Sequence, residues 1–78
     1  MEIAARLKTL RGENRKTQRE VAKGAGVIQA SYCRWEKGSN IPSVADLMKL
    51  AVYFDVSIDY IVGLEKEDGT KNYEAFRK

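Results

Sequence analysis

Between Thr17 and Gly38 the chain concentrates the side chains best equipped to do chemistry: the amides of Gln18 and Gln29, the guanidinium groups of Arg19 and Arg34, and the ammonium groups of Lys23 and Lys37. These groups bind by hydrogen bonding and charge; they do not make bonds. Bond-making chemistry has no comparable set. The 78 residues contain no His and one Cys, Cys33. The carboxylates are scattered, so no acid–base pair and no nucleophile–base arrangement can be assembled. The same absences predict no structural metal, no internal disulfide and no cofactor. The chain therefore reads as a binder and not as an enzyme.

Charge is distributed unevenly. Residues 1–40 carry nine basic side chains against four acidic ones, whereas residues 41–78 carry five against seven. A polyanion is drawn to the first half, which contains the amide- and arginine-rich stretch. The length predicts one domain with a small core and no separate sensor. Met1 to Arg6 lack the apolar run of a secretion signal, and no apolar stretch approaches a membrane span, so a cytoplasmic location is expected.

The elements that must position these groups follow from periodicity and capping. Ile3, Leu7 and Leu10 mark one face of a first helix ending near Glu13 or Asn14, with Asn14 suited to a left-handed end. Thr17-Gln18-Arg19-Glu20 is a capping box, opening a second helix that runs to about Gly24 with Val21, Ala22 and Ala25 inward. Gly26 supplies a tight turn. A third helix runs from about Gln29 to Lys37, with Tyr32 and Trp35 on one face, Ile28 one turn earlier, and Gly38 closing it. Ser43 caps a fourth helix bearing Leu47, Leu50, Ala51 and Phe54, and Ser57 caps a fifth bearing Ile58, Ile61 and Val62. Residues 1–64 are thus an all-α, five-helix domain. Residues 65–78 read as a polar linker and tail, in which Tyr73 and Phe76 fit either a short sixth helix or a frayed end. The second and third helices, with the turn between them, have the helix-turn-helix form that can set a helix in the DNA major groove.

The ordered set of motifs resembles the phage repressor and Cro-like (XRE-type) helix-turn-helix proteins. It comprises Leu7-Lys8-Thr9-Leu10-Arg11, Thr17 to Ala22, Gly26-Val27, Gln29, Arg34 to Gly38, Pro42-Ser43, Leu47, Leu50-Ala51 and Phe54 to Tyr60, covering roughly residues 3–64. The resemblance implies a site on double-stranded DNA. Gln29 takes the place of the main base reader, suited to an adenine edge, and Arg34 suits a guanine or a phosphate. Thr17, Gln18 and Arg19 at the start of the second helix, and Lys37, Ser39 and Asn40 after the third, take phosphate-contact places. Arg11 and Glu36 match an internal ion pair. Ile28 stands where a capping Ser or Thr is usual, which leaves it free to meet a thymine methyl. Ala30 is a small reader beside it. Arg15 stands where Gly is usual, Lys16 where an apolar residue is usual, and Asp55 where Gly is common.

The resemblance leads to a sequence-specific transcriptional regulator, most simply a repressor. Two half-sites imply a homodimer on an inverted repeat, with the contact expected around Ile58 to Leu64. The alternative is a protein-interaction module of the same fold, an antitoxin or a partner of an antirepressor. No membrane partner is expected.

Overall fold

Eleven residues, Ile3–Glu13, form helix α1 because apolar side chains recur at i, i+4 and i+7; Ile3, Leu7 and Leu10 are all buried. The structure, a computed structural model, describes residues 2–77, without the side chains of residues 75 and 76. Helix α1 ends with Lys16 N–H bonded to the Arg11 carbonyl at 3.1 Å and Arg15 N–H to the Gly12 carbonyl at 3.1 Å. That pairing needs a left-handed residue, and Arg15 supplies it at φ 54°. Asn14, expected in that role, stays right-handed, and its amide instead donates to the Leu10 carbonyl at 2.7 Å.

Helix α2 (Gln18–Ala25) opens on the full capping box. Glu20 N–H donates to Thr17 Oγ1 at 3.1 Å, and Thr17 N–H donates to Glu20 Oε1 at 2.9 Å. Gly26, at φ 76°, turns the chain into α3 (Gln29–Lys37). Gly24 is required for a different reason: a Cβ there would collide with the Tyr53 ring. Helices α4 (Val44–Phe54) and α5 (Ile58–Val62) are capped by Ser43 and Ser57, whose hydroxyls accept from Asp46 N–H and Tyr60 N–H. Asp55 takes φ 55° at the end of α4. An aspartate tolerates this left-handed position better than most residues.

The core draws on all five helices. Leu7, Val21, Tyr32, Leu50 and Ile61 have no exposed surface. Tyr32 and Trp35 pack edge to face with centroids 6.2 Å apart, and Tyr53 does the same on Phe54 at 5.0 Å. Such pairs add about 0.5–1.5 kcal/mol beyond burial. Arg6 lies 4.2 Å from the centroid of the Tyr60 ring, tying α1 to the start of α5.

After α5 the chain is structured by a tight turn. Glu65 and Lys71 form one antiparallel bridge, Lys66 N–H donates to the Thr70 carbonyl at 2.7 Å, and Gly69 takes φ 87°. The Lys71 ammonium reaches Glu65 at 2.8 Å and Asp59 at 3.2 Å, and Asn72 N–H meets the Leu64 carbonyl at 2.7 Å. The Asp68-Gly69 dipeptide is the sequence signal for this turn. A short 3-10 helix, Tyr73–Phe76, follows; Tyr73 is exposed, and the Phe76 side chain lies outside the described residues. Among the described residues no helix is long and apolar enough to cross a membrane.

Candidate nucleic-acid interface

Helix α3 divides cleanly into two faces. Tyr32, Trp35 and Glu36 are buried, while Gln29, Ala30, Arg34 and Lys37 are exposed. Ala30, Arg34 and Lys37 recur at i, i+4 and i+7 on the outward arc, whereas Gln29 stands in line with Tyr32, Cys33 and Glu36 and is exposed because it is the first residue of the helix. Ser39 and Asn40 continue the exposed polar surface past the end of α3; Thr17 and Arg19 are exposed at the start of α2. The structure thus puts the sequence-derived residues on two neighbouring helix ends and one helix face.

Ile28 differs from the periodicity argument. It is 72% exposed and lies off the Tyr32–Trp35 stripe. The reason is local: α3 begins at Gln29, and Ile28 is its extended N-cap residue with φ −74° and ψ 127°. Its side chain makes no capping hydrogen bond.

Behind the outward face lies a buried polar knot. Glu36 is 2% exposed, and its carboxylate takes two bonds from Arg11, Nε to Oε2 at 2.7 Å and Nη2 to Oε1 at 3.0 Å. The remaining Arg11 Nη1 donates to the Lys16 carbonyl at 3.2 Å, just before the capping box. Gln18 Nε2 also donates to Glu36 Oε1, at 3.1 Å, and Cys33 Sγ donates to Gln18 Oε1 at 3.0 Å. This knot joins α1, α2 and α3, so it fixes the angle between the two helices of the motif. Burial pushes the Glu36 carboxyl up, but the hydrogen bonds around it, Arg11 foremost, outweigh this and hold it below its ordinary 4.5. Arg11 is correspondingly raised, mainly by its bond to Glu36. The Tyr32 hydroxyl is buried beside the same carboxylate but meets no partner at hydrogen-bonding geometry among the described residues. Burial first, then the adjacent negative charge, push its pKa far up.

Sequence reasoning did not find the inward engagement of Gln18. Its partners lie 15 and 18 residues away, and no local pattern announces them. It also missed an apolar strip on α4. Val44, Met48 and Val52, four apart, are 70%, 55% and 82% exposed. By contrast Ile61 has no exposed surface, and Ile58, Val62 and Leu64 are half-buried. Among the described residues no group of His, Cys, Asp or Glu is arranged to hold a metal.

A two-helix unit with a tight glycine turn, its second helix buried on one side and polar and basic on the other, defines a helix-turn-helix domain. The chain belongs to the helix-turn-helix family HTH_3, whose model matches residues 7–61. It is 36% identical over 66 residues to the HTH-type transcriptional regulator YobD of Bacillus subtilis (strain 168), covering 85% of this chain and 59% of that protein. It is 35% identical over 63 residues to the cryptic phage CTXphi transcriptional repressor RstR of Vibrio cholerae serotype O1, covering 81% and 56%. The chain spans less than three fifths of the length of either relative. Among solved structures, the N-terminal DNA binding domain of SinR from Bacillus subtilis superposes with a TM-score of 0.77 at 27% identity, over 85% of this chain and 94% of that one. Both curated relatives carry the names of transcriptional regulators.

Proposed function

We propose that this protein is a sequence-specific, double-stranded DNA-binding transcriptional regulator, acting as a repressor. The observation that carries the reading is the exposed surface of α3, with Gln29 at its opening end and Ala30, Arg34 and Lys37 along its outward arc, on a helix whose inner face is locked by Trp35, Tyr32 and Glu36. Gln29 and Arg34 read base edges; Ile28 and Ala30 add apolar contact, Ile28 toward a thymine methyl. Thr17, Gln18 and Arg19 meet one phosphate strand, and Lys37, Ser39 and Asn40 another. The names of YobD and RstR, and the DNA-binding domain of SinR, support this assignment.

One recognition helix covers too few base pairs for high specificity, so the functional unit is a dimer on an inverted repeat. The half-buried edges of Ile58, Val62 and Leu64 supply the contact between copies; Ile61 is committed to its own core. Selection of bound duplexes from a random pool at near-physiological salt tests the whole reading. Enrichment of an inverted repeat is expected. Recovery of unselected sequences, with weak binding abolished by salt, would overturn it.

The exposed α4 strip favours a second reading, a module that also holds a protein partner such as a toxin or antirepressor. Co-purification of a stoichiometric partner that Val52→Lys releases would establish it.

A further inference from the structure

Cys33 has no part in base reading, in the core or in any metal site. Among the described residues its side chain has one polar contact, the bond from Sγ to Gln18 Oε1 at 3.0 Å, while Gln18 Nε2 donates to Glu36 Oε1 at 3.1 Å. A primary amide has one oxygen and one nitrogen, and a carboxylate only accepts. Turning the Gln18 amide over would set its oxygen against the Glu36 carboxylate, so Glu36 selects the orientation; in it the Cys33 thiol donates to the amide oxygen and adds a second tether. In that orientation Gln18 Nε2 makes one bond, and an NH₂ group has two hydrogens. The capping box consumes the N–H groups of Thr17 and Glu20.

We propose that Cys33 is a positioning residue for DNA binding: with Glu36 it holds the Gln18 amide so that the second Nε2 hydrogen is presented to a phosphate oxygen at the start of α2. The proposal rests on the DNA-binding reading above. Holding a neutral donor in place spares the ordering cost of fixing it at the moment of binding. The effect is independent of base sequence, because the group held is a phosphate donor.

The test compares wild type, Cys33→Ala, Cys33→Ser, Gln18→Ala and the Cys33→Ala/Gln18→Ala double variant on a selected duplex and a scrambled one, across a salt series. Cys33→Ala is expected to weaken both duplexes about two- to ten-fold, the range of one hydrogen bond. Its salt slope stays at the wild-type value, since no charge is removed. Cys33→Ser is expected to recover the loss, because a hydroxyl also donates. The double variant should bind no worse than Gln18→Ala alone. Wild-type affinity in Cys33→Ala, or losses that multiply in the double variant, would overturn the proposal while leaving the DNA reading intact. Wild-type protein that binds no duplex overturns both.

Discussion

Glu36 carries a negative charge at 2% exposure, which is tenable only because Arg11 meets it with two bonds and Gln18 with a third. Removing the cation leaves that charge uncompensated, so Arg11→Met is expected to cost about 3 kcal/mol, read as a fall in the denaturation midpoint. The same group sets an acid limit. Its folded pKa lies below its unfolded value of 4.5, so its contribution is complete above about pH 4.5 and fades as pH falls through the folded value. Urea midpoints measured from pH 6 to pH 3 should therefore fall more steeply for wild type than for Glu36→Gln; parallel curves would remove Glu36 from the account. On the outward side, Gln29→Ala should cost about 1–3 kcal/mol of binding and relax preference at one base position. Lys37→Ala should weaken all duplexes alike and lower the salt slope by about one. Equal binding of every duplex by both variants would mean that another face meets the DNA.

Every α-helix here is followed within two residues by one with positive φ, and two of these five residues, Arg15 and Asp55, are not glycine. At Arg15 the left-handed conformation costs about 1–2 kcal/mol, against about 0.5–1 kcal/mol of extra chain entropy for a glycine. Arg15→Gly should thus stabilise the domain by about 0.5–1 kcal/mol while removing one positive charge beside the capping box; a lower melting temperature would refute this. The starts of the helices were the most legible part of the sequence. Thr17, Ser43 and Ser57 announce their caps because a capping hydroxyl acts over three residues. The end of α1 was less legible. Asn14 and Arg15 compete for one position, and the contest is settled by the bond of the Asn14 amide to Leu10 and by Lys16 reaching back to Arg11. The place of Ile28 depended on a single residue of boundary: one position earlier or later, its side chain changes face. The inward face of α3 was legible from periodicity and the places of Gln29, Arg34 and Lys37 only through resemblance, whereas the knot of Arg11, Glu36, Gln18 and Cys33 was half legible. The ion pair came through resemblance; the Gln18 and Cys33 contacts are set by tertiary packing alone.

Over the whole molecule, one small core carries both a polar and basic surface, at the start of α2 and along α3, and the apolar strip of α4, whose Met48 and Val52 line a shallow hollow with Gly24 and Ala25 at the end of α2. If the strip serves no part of DNA binding, Val52→Lys should leave duplex affinity within about two-fold of wild type, since an isolated surface change away from the contact is nearly neutral. A large loss would connect α4 to the operator complex. The missing cap on α3 has a consequence in time as well as in space. The first helical bond of α3 is Tyr32 N–H to the Ile28 carbonyl at 2.9 Å, so the three amides before it belong to no intrahelical pair. The end of the recognition helix that carries Gln29 is therefore the end that opens most often, and its amide protons should exchange with solvent fastest in the free protein. Association with an operator would then still that opening turn, so that part of the discrimination between sequences is registered as a loss of motion.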